Sequence, residues 1–191
     1  MARSVGINQA KVLAVAAELA DAHGLPGLTL AQVAARLGVR LPSLYNHVDG
    51  LPGLQRELGH MAGHQLIDQL SRATIGKSED AAVIALARAY RAYVLAHPGL
   101  YATLVRAPGP GDAELLQVSQ TIIEIVLAVL APYGLDQAGA IHAVRGLRSI
   151  VHGFATLELA GGFGMPLDRD ESFERLVRAY VAGLRADAAA S

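Results

Sequence analysis

Apolar residues recur along the chain at three- and four-residue steps, the period of a helix with one buried face, and no stretch alternates as a strand would. Val12, Val15, Ala16, Leu19 and Ala22 make the stripe of a first helix over 7–23, which Gly24, Pro26 and Gly27 stop. A second helix opens at Thr29, whose hydroxyl with Gln32 three residues on makes a capping-box pattern. It buries Leu30, Val33, Ala34 and Leu37 and ends at Gly38, where a left-handed turn suits glycine. The third starts near Leu41 with Pro42 in its first turn and ends at Asp49-Gly50. A long fourth helix, 51–74 and roughly 35 Å at 1.5 Å per residue, links what precedes it to the rest. Five more follow: 79–96, stopped by His97-Pro98-Gly99, then 100–106, 112–132, 136–159 and 170–187. The APGPGD loop (107–112) and a glycine-rich break at 161–166 separate them, and the tail DAAAS is expected to fray. The fold class is therefore all-α, about nine helices with no strand and no internal repeat. The pattern divides it into a head over 1–50 and a body over 51–191.

Residues 28–54 carry the chemistry. A capped helix, a glycine turn and a short helix make a helix-turn-helix, and Leu44 and Val48 give the third helix only a thin apolar stripe. Seven residues with so little to bury would not persist alone and need the first two helices as support. Arg40, Ser43, Asn46 and His47 fall largely outside that stripe, and Tyr45 sits at its edge. Such a face fits the major groove, where base edges present donors and acceptors. Arg40 can take phosphate or guanine and Asn46 can read adenine. Thr29, Tyr45 and His47 can hold phosphates, helped by amides at helix starts. Geometry alone leaves an ordinary helical corner equally open.

Composition narrows the field. Apolar residues make up 52% of the 191, aromatics 5%, and Trp and Cys are absent. With no Cys there is no disulfide framework and no thiolate metal site. The N-terminus MARSVGINQAKV lacks the apolar segment of a signal peptide, so the cytoplasm is the expected location. A mean hydropathy of +0.34 is high, which points to apolar area beyond a private core, such as a subunit interface or a ligand cavity. The most apolar run, 121–132, is too short for a membrane span and contains Glu124, and the helix around it reads as buried on nearly every side. Net charge is −1, which excludes indiscriminate nucleic-acid binding. Residues 1–56 nevertheless balance at +2 and the remainder at −3, so any DNA contact belongs to the head.

The stretch 7–54 resembles the DNA-binding domain of the TetR family of transcriptional regulators, through LTLAQVAARLGV and then Ser43-Leu44-Tyr45-Asn46-His47. The resemblance implies a homodimer that binds a palindromic operator on double-stranded DNA, most members being repressors released by a small-molecule effector. It implies that Thr29, Arg40, Leu41, Pro42, Ser43, Tyr45, Asn46 and His47 face DNA. Two positions depart from the pattern: Val48 stands where an aromatic residue is usual, and Leu51 where a lysine often meets a phosphate. The body is similar to the C-terminal domain type named for a Trp-His-Gly motif, through His97-Pro98-Gly99-Leu100-Tyr101, Val151-His152-Gly153-Phe154 and Leu157-Glu158-Leu159, with Val151 in place of the Trp.

In the body, His64, Tyr90, Tyr93, Tyr101, His142, Arg145 and His152 are the candidate polar groups of a ligand pocket. Each can equally be a core residue with one satisfied hydrogen bond. His60 and His64, four apart, have metal-binding spacing but no evident third ligand, and no metal site is expected. Ile141, Val144, Arg148, Val151, Ala155 and Leu159, with Leu176, Tyr180 and Leu184, form stripes on the last two helices. By the resemblance these make a four-helix dimer interface, Gly146, Gly153 and Ala155 permitting close approach; by pattern alone they can face the body's own core. No acid pair, no nucleophile with its base and no cofactor motif is present, so neither catalytic residues nor cofactors are expected. The competing reading is a helical ligand- or partner-binding protein without DNA activity.

Overall fold

The computed structural model describes residues 7–109 and 111–190, with side chains through Ala186. Among these residues it has eight α-helices, three short 3-10 segments and no strand. The helices are α1 (Gln9–His23), α2 (Leu30–Leu37), α3 (Gly50–Thr74), α4 (Glu79–Ala96), α5 (Pro98–Ala102), α6 (Ala113–Leu130), α7 (Gln137–Leu159) and α8 (Arg169–Ala190). All nine segments expected to be helical are present. The third is a six-residue 3-10 segment, Leu41–Asn46, rather than an α-helix. Its bonds run between residues three apart: Ser43 N donates to Arg40 O and His47 N to Leu44 O. The backbone of α8 continues to Ala190; the side chains of the tail expected to fray lie outside the described residues.

Two compact units divide the chain otherwise than at residue 50. The first is Met1–His64 with Ala96–Leu116, the second Gln65–Leu95 with Gln117–Ser191. The first unit is centred on Val12, Ala16, Ala20, Val33, Leu44, Leu54, Leu58 and Leu100, all at or below 1% exposure. Leu100 belongs there because α5 begins at Pro98, two residues before the expected start. Proline is suited to a first helical position, so HPG both ends α4 and starts α5. Asp21 on α1 accepts hydrogen bonds from the Gly99 and Leu100 amides at 2.9 and 3.0 Å, and its other oxygen lies 3.0 Å from His97 Nδ1. The helices cross so closely that a β-carbon on Gly99 would stand 2.1 Å from the Ala20 carbonyl.

The second unit buries Leu66, Leu70, Leu86, Tyr93, Leu130, Leu147, Val151 and Phe173. Two expectations are corrected here. α6 is not buried on all sides: Val118, Val126, Val129 and Leu130 are buried, while Ile123 is 40% exposed. By length and composition the stretch Ala113–Tyr133, with mean hydropathy 1.7, is long enough to cross a membrane, longer than the run 121–132 suggested. Of its most apolar eighteen-residue window only 22% is buried. The stripes on α7 and α8 are also split. Val151, Ala155 and Leu184 face the unit's own core, and Gly146 passes beneath Tyr180, whose hydroxyl donates to Ala143 O at 2.6 Å. Ile141, Arg148, Leu159 and Leu176 stay exposed.

Candidate nucleic-acid interface

The interface is built from α2 outward. Thr29 Oγ1 accepts from the Gln32 amide at 3.3 Å and the Gln32 side chain accepts from the Thr29 amide at 2.9 Å, completing the capping box. The Thr29 hydroxyl also donates to Gln32 Oε1, so this group is committed to its helix although the residue is exposed. At the other end Gly38 takes the left-handed conformation (φ 68°, ψ 30°), with its amide on Ala34 O and Ala35 O. The chain then turns through Arg40 into Leu41–Asn46.

A 3-10 segment has three residues per turn, so positions i and i+3 eclipse. Leu41–Asn46 is thereby sorted into three ridges: Leu41 with Leu44, Pro42 with Tyr45, and Ser43 with Asn46. Leu44 is fully buried and anchors the segment in the core, with Val48 6% exposed beyond it. Arg40, Pro42, Tyr45 and Asn46 are exposed, Tyr45 at 57%, and Ser43 and His47 are half-buried. Leu41 is 38% exposed. Among the described residues, nothing pairs with the side chains of Arg40, Ser43, Tyr45, Asn46 or His47. A short surface segment with uncommitted donors, acceptors and one cation can meet base edges and phosphates.

Residues 83–180 match the sequence profile described as the C-terminal domain of tetracyclin repressor-like proteins. The chain is 34% identical over 185 residues to the uncharacterized HTH-type transcriptional regulator YobS of Bacillus subtilis, covering 96% of each protein. The chain belongs to the TetR family. A second TetR-like relative, the uncharacterized HTH-type transcriptional regulator Rv0681 of Mycobacterium tuberculosis, is 35% identical over 185 residues, 96% of this chain and 84% of its own length. Among solved structures, a TetR variant from Acinetobacter baumannii AYE in complex with minocycline superposes with a TM-score of 0.71 at 21% identity, covering 96% of this chain and 99% of that one. As a TetR-family member the protein is a DNA-binding transcriptional regulator.

The seven residues suggested for a ligand pocket in this TetR chain are divided between the two units. His64 and Tyr101 belong to the first unit, the other five to the second. Tyr90, Tyr93 and Tyr101 are buried, and Tyr93 donates to Gln65 Oε1 at 3.2 Å. His142 and Arg145 are exposed and His152 is half-buried. His64 is exposed, its Nε2 3.5 Å from Glu114. None of the seven lines either of two cavities in the second unit. The smaller, of about 380 Å³, lies among Ser71, Thr74, Lys77, Ser78, Glu79, Ala82, Ile125, Ala128, Val129 and Pro132. The larger, of about 660 Å³, is walled by charge: Arg88, Arg91, Glu158, Asp168, Asp170, Glu171 and Glu174, with Ala92, Leu95 and Phe173.

Arg91 is the knot of that wall. Only 9% exposed, it donates from Nε and Nη2 to both oxygens of Glu158 at 2.8 and 2.9 Å, and from Nη1 to Asp170 at 2.7 Å. Its guanidinium carbon lies 4.9 Å from the Phe173 ring centre and 5.2 Å from that of Phe154, within cation–π range. Burial works against the charge, but the two carboxylates outweigh it and hold the guanidinium pKa above its usual value. The neighbouring Arg88 pairs with Glu174, which holds that carboxyl below the usual range.

In the first unit, His60 Nε2 lies 2.9 Å from Asp112 and Nδ1 3.4 Å from Glu114. Partial burial raises the Asp112 carboxyl, but the Leu115 amide and then His60 outweigh it and keep its pKa below the ordinary value. Among the described residues no three His, Asp or Glu side chains are placed to hold a metal ion. Asp112 was expected as the cap of the helix over 112–132, and it accepts from the Leu115 amide at 2.9 Å; Asp21 and Arg91 were not singled out from sequence. The partners of these two lie 67 to 79 residues away and have no local signal.

Proposed function

We propose that the protein is a homodimeric, cytoplasmic repressor that binds a palindromic operator through Leu41–Asn46 and is released by a small-molecule effector held in its second unit. The observation that carries the reading is the segment itself. One leucine fixes it to the core, and Arg40, Ser43, Tyr45, Asn46 and His47 are left without a partner among the described residues. Arg40 and Asn46 read bases, Ser43, Tyr45 and His47 meet the backbone, and Pro42 and Leu41 complete the contact. Thr29 acts chiefly by presenting the start of α2. Dimerisation uses what α7 and α8 leave open, namely Ile141, Leu159 and Leu176 at 37–45% exposure, together with Leu157 at 52%. A two-fold dimer sets the two recognition segments ~34–36 Å apart or a multiple of it, as successive major-groove faces require. The bound minocycline of the A. baumannii TetR supports an effector site in the body; no catalytic role belongs to the reading.

The test is selection of bound duplexes from random DNA by the full chain, followed by gel shifts across salt concentrations and a metabolite screen for release. A palindromic sequence whose affinity falls linearly with log salt is expected. Failure to enrich any sequence would falsify the proposal and favour a ligand-binding bundle.

A further inference from the structure

Leu41 has an environment that packing does not explain. Of the residues described up to His64, only two large apolar side chains are exposed, Leu41 at 38% and Tyr45 at 57%, and both stand on the recognition segment. Tyr45 carries a hydroxyl that can bond to water; Leu41 ends in two methyl groups. Its chain neighbours Leu37 and Val39 are partly buried and pack against the core of the first unit, as do Leu30 and Leu51, whereas Leu41 is exposed. It shares the core-facing ridge with Leu44, yet Leu44 is fully buried and Leu41 is not. The N-terminal end of that ridge therefore emerges from the core.

That end is where a recognition element meets base edges. Leu41 is its first residue, between exposed Arg40 and exposed Pro42. A leucine can neither donate nor accept a hydrogen bond, so the donors and acceptors of the groove offer it nothing. The one apolar group a base pair presents in the major groove is the 5-methyl of thymine. We infer that Leu41 is a specificity-determining residue that reads a thymine 5-methyl group in each half-site, next to the base read from Arg40. The inference rests on the DNA-binding reading above and adds to it the chemical identity of one base.

The experiment uses the full chain and duplexes obtained by selection from random DNA. Each thymine of one half-site is replaced in turn by deoxyuridine, which removes the methyl group and leaves every hydrogen-bonding edge unchanged. At one position the wild-type chain should lose roughly four-fold in affinity, the ratio that burial of one methyl corresponds to. Replacing that base pair's thymine by 5-methylcytosine, paired with guanine, should retain part of the affinity that unmodified cytosine loses. Leu41→Gln replaces the two methyl groups by a polar amide one atom further out and, at an exposed position, keeps the fold. It should bind thymine and deoxyuridine duplexes equally and shift the selected base toward adenine, which a glutamine amide can pair with. If wild type binds its selected sequence but no deoxyuridine substitution changes affinity, or if Leu41→Gln stays as sensitive as wild type, the assignment to Leu41 is wrong while DNA recognition stands. If no sequence is selected, both fail.

Discussion

In the recognition segment five polar side chains have no partner among the described residues, whereas three nitrogens of the Arg91 guanidinium are bound to carboxylate oxygens. Both regions concentrate hydrogen-bonding groups, and each is fixed by aliphatic or aromatic neighbours. They differ in where the matching groups come from. Around Arg91 they come from the same chain, Glu158 on α7 and Asp170 on α8, so the cluster joins three helices. At Leu41–Asn46 they have to come from another molecule. Burial separates the two cases: a guanidinium 9% exposed must find anions inside the fold, while Arg40 at the surface is solvated by water. Polar density alone does not mark a functional site; the unmatched density does.

The largest expected effect is on the matched side. Arg91→Ala leaves Glu158, with a side chain 12% exposed, without its main partner and should cost about 3–5 kcal/mol of stability, read by denaturant unfolding. A loss below about 1 kcal/mol would show the knot to be ornamental and erase the contrast. On the unmatched side, Arg40→Ala or Asn46→Ala should leave unfolding within about 0.5 kcal/mol of wild type. Each should cost about 1–3 kcal/mol of operator affinity and relax the preference at one base position. Unchanged base preference in both would remove them as base readers. Thr29→Ala lies between the classes, since its hydroxyl is engaged within α2 and the residue is exposed. It should lower stability by about 1 kcal/mol, and operator affinity should fall little beyond what the loosened α2 explains. The smallest effect concerns acid. With a carboxyl pKa below its ordinary value, Asp112 contributes fully above about pH 4, and the contribution is lost as pH falls through the lower folded value. Asp112→Asn should therefore flatten the acid limb of the Tm-against-pH curve; a limb of unchanged steepness would assign it to other carboxylates.

What could be read from the chain without coordinates was whatever is local. The capping box at Thr29–Gln32, the left-handed Gly38 and the Asp136 cap on α7, which accepts from the Gly139 amide at 2.7 Å, depend on residues three or four apart. So does the order of the helices. The surface position of Arg40, Pro42, Tyr45 and Asn46 was legible because it follows from a compact local pattern around Leu44. The long-range pairs were not, since nothing near Arg91 in sequence announces Glu158 or Asp170. Helix class was misjudged at Leu41–Asn46, where two inward residues four apart, Leu44 and Val48, fit a 3.6-residue period but Val48 lies beyond the segment's end. α6 misled differently: apolar residues on every side imply cover on every side, and within this chain that cover is partial.

The 3-10 form of the recognition segment also sets a length. Six residues rising 1.5 Å each would extend ~9 Å, but at 2.0 Å each they extend ~12 Å. Base pairs stack every 3.4 Å, so the stretched segment runs alongside about three and a half steps of the duplex rather than fewer than three. In the proposed complex a segment of this length spans about four base pairs at most, and it is longer in space than an α-helix of the same six residues.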